Sequence, residues 1–328
     1  MKPWTAIKRT YGRRNLINYE KGCQALSRFK DFYGPNTVIV DAYPGVGVWS
    51  KALNDTLKPK SHILLEPFIG MQKYLNENIV KHHPSMQLRA EDPFRWGTFT
   101  DLMNQGEIPN KVVPRTQIYT DILFTANLTH PQGEQLCVQY LNCLSNQSWL
   151  QTLGRVRLLL WVRESTCTKV VARPSAKTRN RVSVQAESTA DSTVLIGNSA
   201  YLEEFAKLQP PAVIIEAETA KDFFPNKGKE EPICLLQLDP LQNQVHDIDE
   251  FEYVIRMLFI TRNKPLSAIL GMLGPGSLED LGPKISDILD VKPIDMTLDD
   301  FKRVAKVFHE WPFKPEMLHD FYEEPLTL

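Results

Sequence analysis

The sequence predicts an α/β protein, a mainly parallel sheet with helices on both faces, followed by a small all-helical domain. Three observations predict it. Over roughly the first 160 residues, short apolar runs alternate with stretches whose apolar residues recur at helical spacing. A glycine-bearing turn, Asp41-Ala42-Tyr43-Pro44-Gly45-Val46-Gly47, links the first apolar run to the helix behind it. After Asp247 the strand-like runs stop and helical spacing takes over. The expected division is an α/β domain over 1–246 and a helical domain over 247–328.

The elements follow in order. Residues 20–33 place Leu26, Phe29 and Phe32 on one helical face. Residues 38–43 form the first strand, and a helix over 49–57 follows the glycine turn. The second strand, 62–65, ends in Glu66. A helix over about 68–80 leads to a third strand, 86–89, which runs into Glu91 and Asp92. A strand over 122–126 ends at Asn127. A helix over 133–149 precedes the apolar strand 156–162. The runs 193–196, 212–216 and 233–238 complete the sheet with an antiparallel edge. Pro210-Pro211 marks a loop. Further on, 250–261 and 265–273 read as helices, the second broken by Gly274-Pro275-Gly276. Thr297 and Asp300 open a helix to His309 with a capping box, Asp standing in for the usual Glu. A last helix begins at Glu316.

A strand, glycine turn, helix sequence is the arrangement that holds a nucleotide-like cofactor. Glycine belongs there because the backbone turns sharply and approaches the ligand with no side chain between. Tyr43 occupies the place of the usual first glycine, so the loop reads as a partly filled cofactor site. Ligands of parallel sheets bind beyond the carboxyl ends of the strands. Those ends carry the 41–47 turn, Glu66, Asp92 and Asn127, which make one pocket rim.

Composition is that of a globular chain, 42% hydrophobic and 23% charged, with a formal net charge of −1. No apolar stretch is long enough to span a membrane. The charge is unevenly spread. Residues 1–30 are basic, and so are 151–181, with Arg155, Arg157, Arg163, Lys169, Arg173, Lys177, Arg179 and Arg181 against Glu164 alone. Residues 279–328 are acidic. Such asymmetry points to a polyanion-binding body with an acidic end, and a merely solvated surface is the competing reading. Five cysteines without C-x-x-C spacing exclude a disulfide framework or a zinc site and suit a reducing compartment. The histidines show no ligand spacing, so no metal is expected. The basic N-terminus is not a secretory signal and matches a mitochondrial presequence weakly.

With these residues in hand, the chain resembles the ribosomal RNA adenine dimethyltransferase family, and within it the fungal mitochondrial transcription factor B branch. Tyr11-Gly12-Arg13-Arg14-Asn15-Leu16 resembles the family's N-terminal G-Q-N-F-L element. The 41–47 turn resembles E-x-G-P-G-x-G, and Asn127-Leu128-Thr129-His130 stands at N-L-P-Y. Residues 170–184 resemble the basic A-x-P-G-x-K…R-L-S-V segment, and Phe223-Phe224-Pro225 resembles F-x-P. Arg262-Asn263-Lys264-Pro265-Leu266 resembles R-R-K-T-L, and Glu310-Trp311-Pro312-Phe313-Lys314-Pro315 is similar to the fungal branch in particular.

The resemblance implies a Rossmann-like methyltransferase sheet with a vestigial S-adenosylmethionine site at Tyr43, Gly45, Gly47, Glu66, Asp92 and Asn127. Glu66 would hold ribose hydroxyls, and the acid at 91–92 would lie near the adenine. Methyl transfer to a flipped adenine needs an aromatic stack and Asn with main-chain acceptors. Here Thr129 and His130 replace the proline and aromatic residue, Tyr43 enters the donor loop, and Arg13 and Arg14 replace amides. These departures disfavour methyl transfer, and the resemblance implies instead a transcription initiation factor that requires no cofactor. It would be mitochondrial, in the matrix, monomeric when free, and would join the single-subunit mitochondrial RNA polymerase and unpaired promoter DNA. The basic residues of 155–181 and His130 would meet nucleic acid, and Phe321 and Tyr322 could anchor the polymerase. The alternative is an S-adenosylmethionine-dependent rRNA adenine N6-dimethyltransferase.

Overall fold

A computed structural model describes residues 4, 7, 9–225, 231–243, 245 and 247–316. The helix expected from Glu316, the anchors Phe321 and Tyr322, and the basic residues Lys2 and Lys8 lie outside the described residues.

The chain divides into two compact units. The first comprises Met1–Cys167, Ala190–Glu203 and Gln209–Gln242. It is built on an eight-stranded sheet: β1 (Val38–Ala42), β2 (Ser61–Leu65), β3 (Met86–Arg89), β4 (Ile122–Asn127), β5 (Leu158–Arg163), β6 (Ala190–Gly197), β7 (Ile215–Glu216) and β8 (Ile233–Pro240). The spatial order is β3-β2-β1-β4-β5-β8-β6-β7. Strands β1 to β5 are parallel neighbours, and β8 runs antiparallel to both β5 and β6. The sequence predicts an antiparallel edge; the antiparallel strand lies instead inside the sheet, between β5 and β6. Its run Ile233-Cys234-Leu235-Leu236 is fully buried, which suits a central strand.

Alternation along the strands fixes the two faces. Ile39, Leu123, Leu159 and Trp161 turn to one side and pack with Ala25, Leu26, Trp49 and Leu53. Phe124 turns to the other side and meets an aromatic cluster of Phe99, Tyr140 and Trp149, with ring centroids 4.8–5.9 Å from its own. Tyr140 and Trp149 stack at 4.9 Å. Trp149 was expected to close one long helix, but that helix is Gly133–Ser145 and Trp149 opens a separate 3-10 turn, Trp149–Leu153. The N-terminal helix is likewise shorter than expected, Tyr19–Leu26 followed by a 3-10 turn, and Phe32 is exposed while Leu26 and Phe29 are buried. A further helix, Trp96–Asn104, has weak intrinsic propensity and forms because Thr98, Phe99 and Leu102 are buried.

The second unit comprises Thr168–Thr189, Glu204–Leu208 and Asn243–Leu328. Its core joins Val184 to Phe251, Leu258, Leu273, Phe301, Phe308 and Trp311. The helical unit thus takes in residues 168–189, which lie within the α/β domain expected over 1–246. Helix Leu298–His309 starts with the expected capping box: the Asp300 N–H donates to Thr297 Oγ1 (3.2 Å) and the Thr297 N–H to Asp300 Oδ2 (2.9 Å). Asp247, Glu250 and His309 also meet in this unit; His309 Nδ1 lies 2.7 Å from Glu250, and the Lys314 ammonium donates to the same carboxylate (2.5 Å).

Among the described residues, no helix is long and apolar enough to cross a membrane.

Candidate functional site

Parallel pairing from β3 through β5 sets the carboxyl ends of five strands along one edge. Tyr43, Glu66, Asp92 and Asn127 follow or close four of those strands, so the expected rim exists. Each of these residues, however, already has a partner from the chain itself.

The turn after β1 keeps the glycine geometry. Gly45 and Gly47 have φ of +59° and +74°. A Cβ on Gly45 would lie 1.7 Å from Asn15 Oδ1, and one on Gly47 would lie 2.7 Å from Ile79. Tyr43 has φ +58°, the left-handed conformation that glycine would adopt without strain. Such a residue costs about 1–3 kcal/mol and persists only when its surroundings hold it. Here the Tyr43 hydroxyl donates to Asp92 Oδ1 (2.7 Å), and the Arg13 guanidinium lies 5.1 Å from the ring centroid. Burial, then the neighbouring Asp92 carboxylate, hold the phenol far above its ordinary range, so it stays a donor.

Glu66 is fully buried and receives both Arg13 amino groups, Nη1 and Nη2, at 2.9 Å each. Burial raises its carboxyl pKa, and Arg13 opposes the rise. Phe68 lies 5.3 Å from the same guanidinium and stacks on Tyr11 at 3.7 Å. A two-residue ladder, Asn15–Leu16 with Phe223–Phe224, ties this N-terminal segment down.

Asn127 is consumed in the same way. Its Nδ2 donates to the Arg14 carbonyl (2.8 Å), and its Oδ1 accepts from the Thr129 hydroxyl (2.6 Å). Thr129 Oγ1 in turn accepts from the Arg14 N–H (2.8 Å). The cavity left among Asn15, Asp41, Tyr43, Asn127 and Trp161 is about 10 Å³, room for about one water. The polar groups that would hold an adenosyl cofactor, Glu66, Asp92 and Asn127, are instead bonded to Arg13, Tyr43 and Arg14, so the residues as they stand do not fit that group.

The expected nucleic-acid residues fall into three groups. Arg163 and His130 share the rim: Arg163 Nε donates to the Thr129 carbonyl (2.8 Å), and the His130 ring meets Tyr43 edge-on at 5.7 Å. Burial, then the positive charges of Arg13 and Arg163, lower the His130 pKa, so its ring is neutral at neutral pH. Arg155 and Arg157 precede β5 and lie at the opposite edge of the sheet. Arg157 is buried, pairs with Asp239 through two bonds (2.5 and 2.7 Å), and has the rings of Phe29, Phe32 and Tyr33 within 5.6 Å. Arg155 donates to the Pro240 carbonyl (2.6 Å). Arg157 is corrected: it turns inward and braces β5 against β8 rather than meeting phosphate, while Arg155 stays half-buried beside it.

In the second unit, Arg179 is also corrected. The sequence placed it in a basic loop, yet it is fully buried and donates to the Ala172 and Met296 carbonyls (2.8 and 2.9 Å) and to Glu187. Arg173, Lys177 and Arg181 are exposed, Arg173 sharing Glu187 at 3.2 Å, and Lys169 is half-buried. Sequence reasoning missed the part played by Arg13, Asn15 and Thr129. The signal was present in Arg13, a cation at a position where the resembling family has an amide, one strand end away from an acid.

A family model described as Ribosomal RNA adenine dimethylase matches residues 7–308. Mitochondrial transcription factor 1 of Saccharomyces paradoxus is 32% identical over 335 residues, covering 98% of this chain and 96% of that protein. The protein of the same name from Lachancea kluyveri is 32% identical over 329 residues, covering 97% and 95%. Among solved structures, a dimethyladenosine transferase from Plasmodium falciparum matches with a TM-score of 0.59 at 15% identity, covering 90% of this chain and 98% of that one. That likeness speaks for the fold. The chain belongs to the ribosomal RNA adenine dimethylase family, where it is similar over nearly its whole length to proteins named mitochondrial transcription factor 1.

Proposed function

We propose that this chain is a mitochondrial transcription initiation factor. In the matrix it joins the single-subunit mitochondrial RNA polymerase as a monomer and holds melted promoter DNA. It needs no methyl donor and transfers no methyl group. The observation that carries this reading is a methyltransferase-like cleft whose polar rim is bonded to its own chain, in a protein similar end to end to named transcription factors.

The remaining surface supplies the physics. Exposed Arg173, Lys177 and Arg181 neutralise phosphates and add a salt-dependent term to binding. His130, neutral and half-buried beside Arg163, offers a ring to an unpaired base. Unpaired bases held in this way are withdrawn from re-pairing, so the melted state gains population by the difference in affinity. A second reading, an rRNA adenine dimethyltransferase, is favoured by the fold and by the retained Asn127. It is opposed by the bonds that occupy Asn127, Glu66 and Asp92.

Binding to a promoter fragment with a short internal bubble, against the fully paired fragment, tests the proposal. The expected result is at least about tenfold tighter binding to the bubble, with affinity falling as salt rises. Equal affinity for both fragments contradicts it. Methylated adenine in an rRNA substrate would establish the second reading instead.

A further inference from the structure

Three contacts in the cleft share one chemical pattern. A glycine turn offers backbone N–H groups to an acceptor on its ligand; here the Val46 N–H is taken by Asn15 Oδ1 at 3.3 Å. An acid about twenty residues past such a turn, at the end of the second strand, accepts from ribose hydroxyls. Here Glu66 accepts two parallel N–H groups from Arg13. An acid beyond the third strand can accept from an exocyclic amine, and here Asp92 accepts from the Tyr43 hydroxyl. One acceptor, one paired donor and one single donor are what the carboxylate tail, ribose diol and amine of an adenosyl amino acid present.

We propose that Asn15, Arg13 and Tyr43 are a built-in surrogate for an adenosyl ligand, and that a latent site for this ligand class lies beneath them. The Arg13 guanidinium and the Tyr43 ring close it. The proposal rests on the reading that the chain works without a bound donor. The backbone supports it: Gly45 and Gly47 keep the left-handed conformations that let a ligand approach, although the space above Gly45 holds Asn15. Tyr43 adopts the same conformation at a strain that a glycine would not carry. The segment bearing Arg13 and Asn15 is held by its own ladder to Phe223–Phe224, so the surrogate is ordered without the entropy loss of binding a free ligand.

The test uses the full chain with Arg13→Gln and Tyr43→Gly combined, titrated with S-adenosylhomocysteine by calorimetry. The double variant is expected to bind at least about a hundredfold more tightly than wild type, and adding Glu66→Gln is expected to abolish that gain. A folded double variant that does not bind overturns the proposal and leaves the donor-free reading intact. If the double variant does not fold alone, its thermal unfolding is followed with and without S-adenosylhomocysteine. Recovery of a cooperative transition with the ligand supports the surrogate, and no recovery overturns it. Wild type binding as tightly as the variant contradicts both the surrogate and the donor-free reading.

Discussion

Replacing Arg13 with methionine is expected to lower folding stability by about 3–5 kcal/mol, because it leaves a buried carboxylate without its partner. Methionine fills much of the same volume, so the loss comes chiefly from charge. Arg13 and Glu66 are 2% and 0% exposed, and both guanidinium amino groups are committed to the pair. Burial already raises the Glu66 pKa with Arg13 present; without Arg13 the Phe68 N–H is left to oppose that rise. Denaturant unfolding measures the loss. Arg13→Met combined with Glu66→Gln is expected to recover a large part of it, since neighbours in one ion pair are not additive. A loss below about 1 kcal/mol, the range of an exposed ion pair, would place the pair outside the architecture of the cleft.

The second large effect separates two basic residues that lie two positions apart. Arg179→Met is expected to cost about 3–5 kcal/mol, because it strands buried Ala172 and Met296 carbonyls and the Glu187 carboxylate. Lys177→Ala is expected to change stability by no more than about 0.5 kcal/mol, as an exposed substitution does. Its effect falls on nucleic acid: weaker binding to bubble DNA and a salt slope lower by about one. Unfolding curves and salt-dependent titrations of the two variants decide the matter. An Arg179→Met protein as stable as wild type but impaired on DNA would return Arg179 to the phosphate-binding set.

These two residues also show what the sequence could and could not reveal. The basic run 155–181 was legible as charge, but charge does not say which way a side chain points. Arg157 and Arg179 turned inward because Asp239 and Glu187, distant in sequence or on the next helix, receive them. The sheet was legible because β1 to β5 are short apolar runs ending in polar residues at regular intervals. The interior position of β8 was not, since an apolar run marks a buried strand without giving its neighbours or direction. Helix Arg181–Thr189 was missed because its serines, threonine and glutamine carry little periodicity; Val184 in the helical core holds it. Tyr43 was legible as an intruder in the glycine turn. Its bond to Asp92, and the Arg13–Glu66 pair beside it, depend on side chains from separate strand ends and could be seen only in three dimensions.

Run-off synthesis by the cognate mitochondrial RNA polymerase, on a duplex promoter and on the same promoter pre-melted at the start site, tests the central claim most directly. The account predicts that the duplex template yields specific transcript only when this protein is added, while the pre-melted template yields it without the protein. Equal transcript from the duplex with and without the protein would contradict it.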